Sequence, residues 1–90
     1  MHIKFSPLVV RELAKIKQKD KKLFERIHKQ LLLFSSNPKH PSLRVHKLTG
    51  NMNNMWSISV SMSIRMVYKL LDQETAYFID LGTHEEVYKK

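Results

Sequence analysis

Four side chains in the second half of the chain are of types that can do acid–base chemistry on a phosphate ester: His46, Arg65, His84 and Tyr88. The unperturbed pKa of histidine is about 6.5, so one imidazole can act as a base and another as an acid near neutral pH. Arginine presents a planar fork to two phosphate oxygens, and tyrosine can stack on an unpaired base or donate its hydroxyl. This set suits cleavage of RNA, in which the ribose 2′-OH attacks the adjoining phosphate and no metal ion is required.

The sequence contains few residues that would suit other kinds of catalysis. The chain has two glycines in all, so it has no Gly-rich phosphate loop, and no serine lies in a nucleophile-elbow motif. The five histidines lack metal-ligand spacing, and the two glutamates that follow His84 are adjacent residues, which rarely converge on one ion. We therefore expect neither a metal site nor a cofactor. The competing interpretation is structural: His46 is a surface residue, Arg65 is solvated or ion-paired, and Val87 and Tyr88 seal the sheet edge.

Three strand-like runs must position these side chains. From Trp56 to Val60 the side chains alternate strictly, with serines on one side, which is the period of a half-buried strand. The apolar side of this row consists of Trp56, Ile58, Val60 and Met62. The alternation resumes over residues 64–70 and puts Arg65 on the face opposite the apolar row. A third run, Ala76 to Leu81, leads to His84. The pattern predicts one sheet face in the core and a small, polar opposite face that carries the site.

The first third of the chain predicts two helices. Ser6 is a good N-cap and Pro7 suits the first helical position, while Asp20 caps a second helix that ends over residues 35–38. The apolar stripe of the second helix consists of Leu23, Phe24, Ile27, Leu31 and Phe34. With a short strand over residues 3–5, the element order is β-α-α-β-β-β. We predict one α+β domain, residues 1–90, in which both helices pack on one face of a small antiparallel sheet.

The longest irregular stretch runs from Lys39 to Asn54 and holds His46. Three apolar residues can anchor it: Leu43, Val45 and Leu48. Long ordered loops of this kind often carry function, so the stretch is predicted to bring its histidine to the polar face of the sheet.

The net charge of +8 is concentrated in residues 1–47, which contain 12 Lys and Arg against three acids, a balance of +9. Such a half predicts binding to a polyanion or to an acidic protein. The residues that we single out for RNA binding are Lys15, Lys22, Arg26, Arg44 and Lys47. A non-catalytic module that binds RNA or the ribosome, or simply a Lys-rich helical surface, remains open. Because the chain has no cysteine, no signal-peptide core and no apolar run of about 20 residues, we expect a cytoplasmic protein with no membrane partner.

Two stretches resemble a known toxin superfamily. Residues 43–69 contain Leu-Arg-x-His-x-Leu-x-Gly, then Trp-Ser, then Arg-x-Val-Tyr, and residues 78–88 contain Gly-Thr-His with an aromatic residue four positions after the histidine. In order and spacing these motifs resemble toxins of the RelE/ParE superfamily, specifically mRNA interferases of the RelE, YoeB and YafQ type. The β-α-α-β-β-β order is similar to that superfamily's fold.

The resemblance implies roles for the four candidate catalytic residues. His46 would be the general base, Arg65 would stabilise the phosphate charge, His84 would be the general acid, and Tyr88 would position the substrate. It further implies that the substrate is mRNA in the ribosomal A site and that an acidic antitoxin binds and blocks the toxin, giving a hetero-oligomer. The alternative within the superfamily is a ParE-like gyrase inhibitor, a class that lacks this set of two histidines, arginine and aromatic residue.

Overall fold

The computed structural model describes residues 1–48 and 54–88. These residues form five strands, three α-helices and one 3₁₀ turn at Pro41–Leu43. In chain order the strands and helices are β1 (His2–Phe5), α1 (Pro7–Lys19), α2 (Lys21–Ser36), β2 (His46–Lys47), β3 (Met55–Ser59), β4 (Ile64–Asp72), β5 (Thr75–Thr83) and α3 (His84–Tyr88). The predicted α+β class with two N-terminal helices is confirmed. None of the helices in the described ranges is long and apolar enough to cross a membrane.

The first two helices begin and end at the predicted capping residues. The Ser6 hydroxyl accepts a hydrogen bond from the Val9 N–H at 3.2 Å, and Pro7 occupies the first helical position. Asp20 ends α1 and also caps α2, because its carboxylate accepts from the Leu23 N–H at 3.1 Å. A single residue therefore links the two helices, which form the predicted helical hairpin.

The sheet is mixed, with strand order β1-β5-β4-β3-β2. Strands β3, β4 and β5 pair antiparallel, as predicted. The two-residue strand β2 was not predicted; it lies within the stretch expected to be irregular and pairs antiparallel with β3. At the other edge of the sheet β1 lies parallel to β5, with Ile3 opposite Ala76. The prediction of a wholly antiparallel sheet is therefore corrected at this edge. The alternation of side chains identifies a strand but not its partner, and here the partner of β1 lies more than 70 residues away in the sequence.

The main core lies between the helical hairpin and one face of the sheet. At its centre the ring of Phe34 from α2 lies 5.0 Å from Tyr68 and 5.5 Å from Phe78, measured between ring centroids. Trp56 packs against this cluster, and Ile58 and Val60 are buried in it, so the predicted apolar row is correct from Trp56 to Val60. Met62 departs from that prediction: β3 ends at Ser59, and Met62 lies in the reversal to β4 with 98% of its surface exposed.

A second, smaller apolar cluster lies on the opposite face of the sheet. It is made of buried Leu48, Val67 and Val87, and it packs α3 against β4 and β5. Of the three residues predicted to anchor the long irregular stretch, Leu43 and Leu48 are buried and Val45 is 37% exposed. Part of that stretch, residues 49–53, lies outside the described residues. The polar face is therefore only partly polar, and its apolar part holds α3 in place.

The buried side chain of Tyr68 gives a prediction about stability at high pH. Burial raises the pKa of Tyr68 to about 12 from an ordinary value of 10.0. A raised pKa in the folded state means that the contribution to stability is complete below pH 10 and is lost as the pH rises towards 12. We expect the free energy of unfolding, measured with urea, to fall less steeply between pH 10 and 12 for Tyr68→Phe than for the parent. If it falls with the same slope against pH in the two proteins, the prediction is wrong, because the other titrating groups are common to both.

Candidate active site

The strand β2 carries His46 at the edge of the sheet. It pairs antiparallel with β3, so that His46 lies opposite Ser57 and Lys47 lies opposite Trp56. Because successive residues of a strand point to opposite faces, His46 and Lys47 diverge. The imidazole of His46 is exposed on the face opposite the main core. The Nζ atom of Lys47 instead lies over the ring of Trp56, 5.6 Å from its centroid.

Arg65 is held by three hydrogen bonds to neutral oxygens. Its Nε and Nη2 donate to the hydroxyl of Ser57 at 3.1 and 3.0 Å, and Nη2 also donates to the carbonyl of Arg44 at 2.7 Å. Ser57 is fully buried, so this anchor for the guanidinium is fixed. These three bonds involve Nε and Nη2 but not Nη1. Because the acceptors carry no charge, the contacts orient the guanidinium without neutralising it.

The backbone of Arg44 is shaped to receive this contact. Arg44 ends the 3₁₀ turn with a φ of 47°, in the left-handed region that few residues other than glycine adopt. Such strained conformations persist where the surrounding structure fixes them and are found often at functional sites. Here the conformation accompanies a carbonyl that accepts from Arg65.

The helix α3 brings His84 and Tyr88 together. They are four residues apart, and residues at this spacing lie on the same face of a helix. Their rings are in edge-to-face contact with centroids 4.1 Å apart, and Tyr88 also contacts the ring of His46 at 6.2 Å. The hydroxyl of Tyr88 is hydrogen-bonded to Ser57 at 2.5 Å. Tyr88 therefore touches both imidazoles and the residue that anchors Arg65.

The sequence contains a signal for α3 that the periodicity did not reveal. The Glu86 N–H donates to the Thr83 hydroxyl at 3.2 Å, and the Glu86 carboxylate accepts from the Thr83 N–H at 2.8 Å. This is a capping box, for which a threonine followed three residues later by a glutamate is the sequence signature. Gly82 precedes it, and a Cβ atom there would come within 3.1 Å of the Glu86 Cβ. Glycine therefore lets α3 fold back closely after β5.

The four predicted catalytic residues line one cavity. Its volume is about 320 Å³, and its walls are completed by Arg44 and Val45. His46 and His84 are exposed, while Arg65 and Tyr88 are half-buried. A cavity with two imidazoles and a guanidinium can bind an anion and exchange protons with it. Within residues 1–48 and 54–88, no three His, Cys, Asp or Glu side chains are arranged to hold a metal ion.

The residues predicted to bind RNA are divided between different surfaces. Arg44 lies in the cavity itself, whereas Lys22 and Arg26 line adjoining depressions along α2. Lys47 lies by Trp56, and Lys15 is on α1, where its Nζ is 3.6 Å from the carboxylate of Glu12. The structure thus brings three of the five to the cavity or its neighbours.

Ser57 is the site residue that the sequence analysis did not single out. The signal for it was present, because strict alternation puts the serines of β3 on the same face as Arg65. In the pairing of β3 with β4, however, Arg65 lies opposite Ser59 and not Ser57. The contact runs diagonally across the two strands, which explains why the pattern of alternation alone did not identify the partner.

Solved structures with a similar fold include several toxins. A YoeB/ParE toxin from Agrobacterium tumefaciens has a TM-score of 0.78 at 18% identity, covering 93% of this chain and 99% of that one. YoeB in its heterotetrameric complex with YefM from Staphylococcus aureus has a TM-score of 0.76 at 24% identity, covering 93% and 97%. YafQ from Escherichia coli BL21(DE3) has a TM-score of 0.69 at 20% identity, covering 96% of each chain. None of the curated protein sequences matches this chain.

The sequence itself matches a family model over nearly its whole length. That family is described as the ParE toxin of the type II toxin–antitoxin system parDE, and the match spans residues 3–88. The matched range includes every strand and helix of the described residues, apart from His2 at the start of β1, and all four candidate catalytic residues. The chain therefore belongs to the ParE toxin family, within the RelE/ParE superfamily of type II toxins.

Proposed function

We propose that this toxin is a metal-independent endoribonuclease that cleaves mRNA in the ribosomal A site and so halts translation in the cytoplasm. The observation that carries the proposal is the cavity in which His46, Arg65 and His84 are brought together from β2, β4 and the start of α3. These residues are distant in sequence, yet Tyr88 contacts both imidazoles. The same residues match the motifs by which the chain resembles mRNA interferases.

The proposed reaction is a transesterification within the RNA, in which the phosphate passes from the 5′-oxygen of the next nucleotide to the adjacent ribose 2′-oxygen. The 2′-oxygen forms a bond to the adjoining phosphorus as His46 accepts the 2′-OH proton. The bond from phosphorus to the 5′-oxygen breaks, and His84 donates a proton to that oxygen as it leaves. The products are a 2′,3′-cyclic phosphate on one fragment and a free 5′-OH on the other. No oxidant, cofactor or external nucleophile enters the balance.

Arg65 stabilises the charge that grows on the phosphate oxygens during this step. Such stabilisation is most effective when the donor is fixed in advance, because then no reorganisation accompanies the reaction. Ser57 and the Arg44 carbonyl supply that fixation through Nε and Nη2. We expect Nη1 to be the donor that meets the phosphate. Tyr88, held by Ser57, positions the substrate by stacking or through its hydroxyl.

We further propose that the partner of this toxin is an acidic antitoxin that binds and blocks it. YoeB of Staphylococcus aureus has been solved with YefM, which supports a partner of this kind. Residues 1–47, with a balance of +9, would attract an acidic chain. The helical hairpin also exposes Val10 and Leu32, 53% and 58% accessible, to an apolar face of the partner.

The test incubates the purified toxin with ribosomes translating a defined mRNA and maps the RNA ends by primer extension. We expect new 5′ ends within codons at the A site and fragments that carry a 2′,3′-cyclic phosphate. The same RNA without ribosomes reports whether the ribosome is needed. A parallel supercoiling assay with gyrase covers the alternative that the ParE family match raises. Inhibition of gyrase with intact mRNA would reject the ribonuclease and favour that alternative.

A further inference from the structure

We propose that the bound RNA strand extends from the cleavage site into a basic groove between α2 and the β3–β4 reversal, where Met62 contacts one of its bases. The inference rests on the proposed function and adds to it a second binding site for the same single-stranded substrate. It concerns nucleotides that take no part in the reaction.

The groove is a chain of cavities with shared walls. The active-site cavity shares Arg44 and Arg65 with a neighbouring cavity of about 490 Å³. That cavity shares Arg44 and Met62 with a third, of about 420 Å³, which in turn shares Arg26 and Met62 with a fourth, of about 440 Å³. A strand seated at Arg65 therefore has a continuous path to α2, and Met62 borders the last three cavities.

The helix side of this path is positively charged. Lys22, Arg26 and Lys29 are exposed and line the third and fourth cavities. Their spacing of four and three residues puts them on one face of α2, over about 10 Å of helix at 1.5 Å per residue. A row of cations leading away from a phosphate site suits a polyanionic strand, whose affinity comes mainly from such contacts.

The floor of the path is neutral and is held in place by hydrogen bonds. The Gln30 amide donates to the Ser59 carbonyl at 3.0 Å and to the Ser42 carbonyl at 3.4 Å, which ties α2 to β3 and to the 3₁₀ turn. Two carboxylates border the path, Asp20 at its far end and Glu85 near the active site. Asp20 is engaged as the cap of α2. The three cations of α2 therefore outnumber the acids along the path.

Met62 is exposed on a reversal whose backbone is held by hydrogen bonds. The Ser61 hydroxyl accepts from the Ile64 N–H at 3.1 Å, and the Val60 N–H donates to the Ile64 carbonyl at 3.0 Å. A single exposed apolar residue needs no explanation by itself. This one stands where three basic or polar cavities meet, and a methionine side chain is flexible and polarizable enough to pack on the face of any base.

The test measures binding of a fluorescent RNA octamer with 2′-O-methyl groups throughout, which removes the attacking hydroxyl and prevents cleavage. For the double variant Arg26→Gln, Lys29→Gln, we expect the affinity to fall about tenfold or more. The slope of log affinity against log salt should fall in magnitude by about 1.4, because each phosphate contact on a single strand contributes about 0.7.

The matched control is Lys4→Gln, Arg11→Gln, which removes the same charge from one lysine and one arginine that are exposed and line none of the four cavities. We expect a small loss of affinity and a parental salt slope. Equal losses in the two double variants would overturn the proposed path, since the effect would then be one of net charge. The binding assay needs no catalysis, so a toxin that binds the octamer normally but cleaves nothing would reject the proposed function and not the path.

Met62→Ala tests the base contact separately. We expect the affinity for the octamer to fall about fivefold with the salt slope unchanged, because the lost contact is apolar. A series of octamers, each lacking the base at a different position, locates the contact. For the octamer that lacks the base contacted by Met62, the parent and Met62→Ala should bind with equal affinity. A variant that binds every octamer as the parent does would overturn the contact. Because Met62 is almost fully exposed, the substitution should leave the fold intact.

Discussion

The variant His84→Ala should cleave RNA at least about 10²-fold more slowly than the parent, and His46→Ala should lose a similar factor. Each imidazole transfers one proton in the proposed reaction, and the cavity offers no third histidine to replace it. Single-turnover cleavage of a short RNA as a function of pH measures both effects. The parent should give a bell-shaped profile, because the base must be deprotonated and the acid protonated. His84→Ala should lose the decline at high pH, and His46→Ala the rise at low pH.

A substrate with an activated leaving group separates the two roles. A ribonucleoside 3′-(4-nitrophenyl phosphate) releases nitrophenolate, which needs no proton to leave. On this substrate His84→Ala should recover most of the parental rate, whereas His46→Ala should stay slow because the 2′-OH must still be deprotonated. The reverse result would exchange the two roles. If both variants cleave RNA at the parental rate, the assigned site is wrong.

His28→Ala is the matched control for these two variants. His28 is exposed on α2, where its ring stacks on Phe24 with centroids 6.4 Å apart, and it lines none of the four cavities. We expect parental activity. His84 and His46 are themselves exposed, and alanine is a good helix former at position 84. Thermal unfolding of all three variants should therefore stay close to that of the parent.

Local signals in the sequence were sufficient to predict the two N-terminal helices and the central strands. Ser6 and Asp20 cap helices by hydrogen bonds to residues three positions away, so their effect is contained in a short window. The alternation that begins at Trp56 reflects an apolar face that packs into the main core and a polar face that carries the candidate site. Such features depend on residues close together in the sequence, which is why they could be recognised from the sequence alone.

The parts that were not predicted depend on distant contacts. The parallel pairing of β1 and the two-residue strand β2 exist because Ile3 meets Ala76 and His46 meets Ser57. A strand of two residues has too few positions to show alternation. The helix α3 is held by the burial of Val87 on the far face of the sheet, and its local signal was only one capping box at Thr83.

The residues of the candidate site could be predicted from the sequence, but the contacts that hold Arg65 in place could not. The types of His46, Arg65 and His84 pointed to phosphate chemistry, and the alternation indicated the face of Arg65. The diagonal contact from Arg65 to Ser57 depends on strand register and twist, and the contact to the Arg44 carbonyl depends on a left-handed residue in a turn. Neither contact can be recognised from residue types, because Ser57 and its neighbours Ser59 and Ser61 are all serines.

Because these contacts fix the guanidinium, we expect the second large effect on activity in variants of Arg65. Arg65→Ala should lower kcat for RNA cleavage by about 10²- to 10³-fold with little change in KM, because the lost interaction strengthens as charge develops on the phosphate. Arg65→Lys should recover little of this loss. A lysine has a single nitrogen, which cannot occupy the positions of Nε and Nη2 against Ser57 and the Arg44 carbonyl and at the same time the position of Nη1 towards the phosphate. Arg11→Ala, at an exposed position on α1, serves as the control and should retain parental kcat.

Ser57→Ala distinguishes a fixed guanidinium from one that is merely present. The substitution removes the oxygen that accepts from Nε and Nη2 and bonds to Tyr88, and it leaves Arg65 in the chain. We expect kcat to fall about tenfold or more. Added guanidinium ion should restore part of the rate of Arg65→Ala, where it can enter the vacated place, but not that of Ser57→Ala, where that place is still occupied. Ser59→Ala, the next serine on the same face, should keep the parental rate, because its hydroxyl donates to the Ser61 carbonyl and is not the acceptor of the Arg65 hydrogen bonds. A Ser57→Ala variant as fast as the parent would mean that the guanidinium needs no anchor, and the preorganisation assigned to this cavity would then be wrong.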